Sequence, residues 1–456
     1  MTHHLTAAVP LAVVLLAGCA SRTTPPFVPE SAGAATPAPA VQGDRNAMSD
    51  RYVKLVLALG EHDPDYVDAY YGPPEWRAEV KAAARPLPAL REEARQLIAE
   101  LDRDRASMVP TSGELLEELR HEYLRRQLQA VAARIDMLTG TKMSFDEESR
   151  ALYDAVSPRH DEAYFRAILA ELEPLLPGPG PLHERYVRFR QGFVIPAERV
   201  DAVFRAAIDE CRRRTLPHVA LPEGETFTVE YVKGKSWSAY NWYKGGYRSV
   251  IQVNVELPIT IDRAVDLACH EGYPGHHVYN ALLEKHMVKE RGWREFTVYP
   301  LFSPQSLIAE GTANFGIEVA FPGEERLAFE KARLYPLAGL DPARADEYER
   351  VRRVVDRLSY AGNEAARRYL QGEISAAEAA RWLETYAVTP PDRALQRVRF
   401  FDQYRSYVIN YNLGQDMVRR YVEARGGTAD QPARRWAEFV KLLASPRLPG
   451  GLAVAP

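Results

Sequence analysis

The chain has 456 residues, 46% of them hydrophobic, which is enough for one large core or two lobes. Lys and Arg total 58 against 62 Asp and Glu, a net charge of -4 that excludes the basic footprint of a nucleic-acid-binding protein. The triplet Arg212, Arg213, Arg214 reads instead as the solvated C-terminal end of a helix.

Near the N-terminus, LAVVLLAGC is an apolar run of signal-peptide length ending in Leu16, Ala17, Gly18 and Cys19, and it resembles a bacterial lipobox. In such signals the cysteine becomes the first mature residue and receives lipid. The run is too short for a spanning helix of ~20 residues. Residues 1–19 are therefore expected to be a lipoprotein signal, with an ordinary cleaved secretory signal as the alternative. Ala20 resembles the residue of lipoproteins sent to the outer membrane, on its periplasmic side. Residues 20–46, rich in Pro, Ala, Ser and Thr, have the composition of an extended tether.

From residue 47 apolar residues recur at helical spacing, as in LREEARQLIAELDRDR and AERVDAVFRAAIDECRRR, predicting a helical array over 47–220. Only FTVEYV and YRSVIQVNVEL, Tyr247–Leu257, read as strands, so the sheet is expected to be small. The second strand offers an edge for an extended peptide by β-augmentation. Between the two, KGKSWSAYNWYKGGY reads as a loop that either lines a cleft or caps the core. Helices return after Pro258 through position 442, giving a second region over 221–445 and a C-terminal tail over 446–456. With Cys19 lipidated, Cys211 and Cys269 remain. Cys269 reads as a small buried residue of a helix, with one disulfide as the alternative.

The stretch CHEGYPGHH, Cys269–His277, carries the chemistry. In an ordinary HExxH helix two histidines four residues apart share a zinc. Here position i+4 from His270 is Pro274. On a straight helix His276 would face away, and His277 would lie ~10.5 Å along the axis. Pro274 forbids a straight helix, and Gly272 and Gly275 allow a local widening. That distortion can return His276 to the face of His270 and Glu271. His276 is the preferred second ligand, with His277 as the alternative ligand or a polar neighbour.

Asp266, four residues before His270, is the expected acceptor of its ring proton. A hydrolytic site needs a third ligand and an open position. Glu310 in AEGTANFGIE supplies it, on a helix that Gly311, Thr312 and Ala313 make thin enough for close approach, with Glu318 as a weaker, supporting candidate. Glu271, beside the first ligand, is placed to be the general base for an attacking water. Tyr407 and Tyr411, four apart on one helical face, are expected donors to the oxyanion that follows.

HEGYPGHH and the later EGTA resemble the bacterial envelope lipoproteins of the domain of unknown function 885 family, and Tyr411–Gly414 fits that family's Tyr-x-x-Gly. The family in turn is similar to the gluzincin metallopeptidases, including Taq-type carboxypeptidases, thimet oligopeptidase and angiotensin-converting enzyme. Aligned on their closing Gly-His pair, GHHVY puts His276 on the second ligand and Tyr279 on a tyrosine three residues later, and Glu310 matches their third ligand. The chain departs from the family at SYAGNEA, where Tyr360, Asn363 and Glu364 occur without the family's histidine.

The resemblance implies a mainly α, two-lobed gluzincin-like fold with a small β-sheet beside the active-site helix. It also implies one zinc ion and a metallopeptidase whose substrate is a peptide or small amide. Membrane contact would be through the lipid anchor only. The competing readings are a non-catalytic envelope binding or scaffolding lipoprotein, and a zinc amidohydrolase acting on a non-peptide or cell-wall amide.

Overall fold

The computed structural model describes residues 39–107, 115–235, 237–256 and 258–452. The signal segment, Cys19 and most of the expected tether lie outside them. The first helix runs Pro39–Gly60, so the tether's expected end at 46 falls inside a helix. Arg45 there is buried and pairs with Asp104 at 2.9 Å and Glu117 at 2.6 Å. Two acidic partners on neighbouring helices fix a residue whose surrounding composition reads as linker.

Helices dominate, as the 3.6-residue periodicity predicts. Their starts are set by local chemistry. Ser144 and Glu147 form a reciprocal capping box ahead of Phe145–Tyr153, and Ser375 and Glu378 do the same ahead of Ala376–Tyr386. The apolar faces merge into one core whose members come from both sides of residue 220, from Tyr52 and Leu128 to Phe315 and Phe439. The expected C-terminal tail packs too, with Leu448 and Leu452 buried. No helix among the described residues is long and apolar enough to cross a membrane.

Two small sheets flank the site. β1 (Val67–Tyr70) pairs antiparallel with β5 (Val298–Pro300). In the other, β2 (Thr226–Val232) runs parallel and β3 (Ala239–Gly245) antiparallel to a central β4 (Arg248–Asn254). The segment read as a loop thus contains β3, in which Tyr240 and Trp242 share one face, their rings 4.6 Å apart, and Tyr243 lies on the other. β4 is occupied on both edges, so the expected β-augmentation on Tyr247–Leu257 has no free backbone to use.

Candidate metal centre

The motif helix runs Ile261–Leu267, widens into a π-type segment at Ala268–Gly272 and stops; a second helix begins at His276 and runs to Leu283. The Tyr273–Pro274 peptide between them is cis. Gly275 donates its N–H to the Cys269 carbonyl at 2.9 Å, folding the chain back on the helix end. A Cβ at Gly275 would sit 1.9 Å from the His270 carbonyl oxygen, so only glycine permits that return. The distortion is therefore a break and restart instead of a bulge in one helix. It brings His276 Nε2 to 3.1 Å from His270 Nε2.

The third donor arrives on Pro304–Ala320, a helix buried nearly all round. Its Gly311 crosses Gly414 of Ile409–Ala424 so tightly that a Cβ at 311 would lie 2.5 Å from the Gly414 carbonyl. At that crossing Glu310 Oε2 lies 3.2 Å from His270 Nε2 and 3.7 Å from His276 Nε2. Donor atoms of the three residues all fall within 4.8 Å of one another. Glu310 Oε2 is buried and has no hydrogen-bond partner. An orphaned carboxylate oxygen facing two imidazole nitrogens is the donor set a divalent zinc-like ion satisfies.

Neighbouring groups orient these donors. Asn314 gives its amide N–H to the Tyr411 carbonyl at 3.0 Å, so its Oδ1 accepts from His270 Nδ1 at 2.9 Å. In the neutral ring this places the proton on Nδ1 and leaves the lone pair of Nε2 toward the site. Tyr407 donates to Glu310 Oε1 at 2.8 Å, leaving Oε2 for the centre. Burial opposes charge on His270, yet Glu310 and Glu271 outweigh it and raise the imidazole pKa to about 9. Burial also opposes ionisation of Glu310, and the two histidines overcome it to hold the carboxyl well below the usual range.

Glu271 is buried beside the donors and lines the same cleft, of about 1430 Å³. Burial pushes its carboxyl up, partly offset by His270 and His276. Its backbone carbonyl accepts from Asn241 of β3 at 2.7 Å, tying the motif helix to the sheet. Tyr411 also lines the cleft, half-buried, with its ring 5.8 Å from that of Tyr407.

Four expected roles change. His277 is fully buried, with Ser249 Oγ 2.9 Å from Nδ1 and Glu225 Oε2 2.9 Å from Nε2. With both ring nitrogens engaged away from the cleft, it is neither a ligand nor a substrate contact. Asp266 does not serve His270; it pairs with Arg326 at 2.8 Å and Arg263 at 3.1 Å, and against burial these arginines lower its carboxyl to about 2. Glu318 touches none of the three donors; it accepts from Gln415 at 2.7 Å and is paired with Arg419 and Arg435. Tyr407 is spent on Glu310, which removes it as an oxyanion donor.

One bond is the alternative that the two remaining cysteines left open, and one residue, Asp68, carried no usable signal in the sequence. Cys211 and Cys269 form a disulfide, Cα–Cα 5.6 Å, clamping the helix Val200–Thr215 to the residue before His270. Asp68, on the four-residue β1, faces the centre: its Oδ1 is buried without a partner, and burial with the nearby Glu310 and Glu271 raises its carboxyl to about 8. Tyr279 is buried in the core, outside the cleft wall.

No family model matches the chain, and no curated protein does. Among solved structures, a provisionally assigned lipoprotein from Colwellia psychrerythraea is similar over 80% of this chain at 14% identity and a TM-score of 0.49; the chain spans 65% of that protein's length. The protein BsuCP is similar over 88% of this chain and 90% of its own, at 11% identity and a TM-score of 0.47. An M32 carboxypeptidase from Deinococcus radiodurans R1 is similar over the same shares at 14% identity and a TM-score of 0.43. At those values no family membership follows, and the chemistry of the site has to be argued from its own side chains.

Proposed function

We propose that the chain is a zinc-dependent hydrolase that cleaves peptide amide bonds, held in a bacterial envelope by lipid on Cys19. One observation carries the reading: His270 Nε2, His276 Nε2 and a Glu310 carboxylate oxygen without a hydrogen bond converge within 4.8 Å in the wall of a large cleft. Three protein donors leave one position of a tetrahedral ion open, the composition of a hydrolytic and not a structural zinc site. The same three residues are those that the resemblance to gluzincins assigns.

Bound there, zinc supplies a Lewis acid that lowers the pKa of a water from 15.7 to about 7. His270, oriented by Asn314, and Glu310, oriented by Tyr407, present their free lone pairs to one point. Glu271 accepts the proton of the attacking water and passes it to the leaving amine; a carboxyl whose proton affinity is raised by burial is suited to both steps. Tyr411, whose ring lines the cleft, donates to the oxygen on which charge develops. Apart from Asp68 and Tyr164, the cleft wall is built from side chains beyond residue 220, which supports a substrate groove formed almost wholly by the region 221–445.

The test is metal analysis joined to turnover. The purified mature protein is expected to carry one zinc per chain at neutral pH and to cleave fluorogenic peptides in a chelator-sensitive way. Glu271→Gln is expected to keep the zinc and lose turnover by 100-fold or more, on the order of what a positioned acid–base group contributes. Absence of a stoichiometric transition metal would end the hydrolase reading. Metal without cleavage of any peptide would leave a binding lipoprotein or a zinc amidohydrolase acting on another amide.

A further inference from the structure

Nine arginines line the cleft, and seven of them are ion-paired with a carboxylate of the chain. Arg393 and Arg397 are the exceptions among the described residues. They sit four apart, on one face of the helix Pro391–Tyr404. Arg393 Nη1 donates only to the Gln396 side-chain oxygen, at 3.1 Å. The Arg397 guanidinium lies over aromatic rings instead, 4.5 Å from Phe400, 5.8 Å from Phe401 and 5.9 Å from Tyr411.

That arrangement is costly unless something completes it. Like charges four apart on a helix repel, and Arg393, although attracted by the neighbouring Asp392, is also repelled by Arg190 and Arg263. Burial works against the charge on both Arg393 and Arg397, lowering their proton affinity. Aromatic rings orient a guanidinium but accept none of its five N–H donors. A carboxylate, which takes two parallel N–H donors from a guanidinium fork, is the complementary group.

The position is also informative. Tyr411 stands between Arg397 and the candidate metal centre: one neighbour of its ring is Arg397, another is Tyr407, whose hydroxyl holds Glu310. A group bound by Arg397 would therefore sit in the same cleft as the bond being cleaved.

We propose that Arg397, assisted by Arg393, forms an anion subsite that binds a carboxylate of the substrate, so that the substrates are peptides carrying a free carboxylate near the scissile amide. This rests on the peptidase reading of the metal centre. The carboxylate has two sources, the C-terminus of a short peptide or the side chain of a nearby Glu or Asp, and the test separates them.

The experiment measures binding to zinc-loaded full-length Glu271→Gln protein and cleavage by zinc-loaded wild type. Three acetylated tripeptides are used: one with a free C-terminal acid, its C-terminal amide, and the same amide with one residue replaced by Glu. The acid or the Glu peptide is expected to bind roughly 10- to 150-fold more tightly than the plain amide, the range for a charge-assisted hydrogen bond. Which of the two is preferred names the source. Arg397→Ala is expected to erase the preference, and Arg397→Lys to keep part of it, with zinc content and thermal midpoint unchanged in both.

Equal binding of all three peptides, or a preference that survives Arg397→Ala, overturns the subsite. Equal cleavage of all three peptides removes the subsite and leaves the peptidase reading in place. An intact preference without cleavage removes the peptidase reading and keeps the subsite.

Discussion

At the scale of single residues, the candidate centre depends on Asn314 as much as on the donors. Its amide group is locked by the Tyr411 carbonyl, so its oxygen can only accept, and His270 can only present Nε2 inward. Asn314→Ala frees the ring to rotate and change tautomer. Zinc affinity is then expected to fall by roughly 10- to 100-fold, the usual effect of losing such an orienting partner, with the fold retained. Competition against a chromophoric chelator measures this, and an unchanged affinity would show that packing alone holds the ring. The sequence made His270, His276, Glu310 and Glu271 legible because their residue types are rare together. It pointed to Asp266 instead of Asn314 because four residues close a turn in a regular helix. Where the helix widens at Ala268–Gly272 they do not, and Asp266 swings to Arg263 and Arg326. Asn314 was reachable by the same i, i+4 rule counted from Glu310, on a helix that stays regular.

At the scale of elements, the site exists because two backbones approach without side chains between them. Gly414 reciprocates the contact of Gly311: a Cβ there would lie 2.7 Å from the Leu307 carbonyl and 3.0 Å from the Gly311 Cα. Gly311→Ala must push the helices Pro304–Ala320 and Ile409–Ala424 apart, since backbone cannot step aside as a side chain does. A loss of about 1–3 kcal/mol is expected, together with weakened zinc binding because Glu310 is the adjoining residue and Tyr407 precedes the partner helix. Urea unfolding and metal titration of the same variant check both; full stability with full affinity would mean the crossing is slack. The small residues after Glu310 signalled this contact in the sequence. Short strands gave no such signal: β1 and β5 have four and three residues, too few for alternation to register. β3 was hidden by its flanking glycines and aromatic density, and it becomes a strand because β4 offers it an edge.

At the scale of the whole molecule, a buried ion pair is one of the joints by which the N-terminal helices act on the centre. Arg120, on Leu115–Leu138, meets Glu295 twice, Nε to Oε1 at 2.5 Å and Nη2 to Oε2 at 3.1 Å, both side chains fully excluded from water. Ser49 of the first helix adds a 2.6 Å bond to the same carboxylate and receives the Glu295 N–H at 2.9 Å, and Trp293 lies under the guanidinium at 4.7 Å. Glu295 leads through β5 directly into the helix that carries Glu310, and Tyr123, one turn beyond Arg120, bonds Gln305 at its start with 2.7 Å. Two sequence-distant helices are thus fixed to the segment that carries the third donor. Glu295→Ala leaves Arg120 buried without its counter-charge, for which about 3–5 kcal/mol of stability is expected to be lost. Pairing it with Arg120→Met removes the stranded charge as well, and an apolar replacement of a buried pair is often near neutral. The double variant is therefore expected to recover most of the loss in urea unfolding. If the two single losses instead simply add, the pair is not the joint, and Ser49 and Trp293 hold the first helix independently of it.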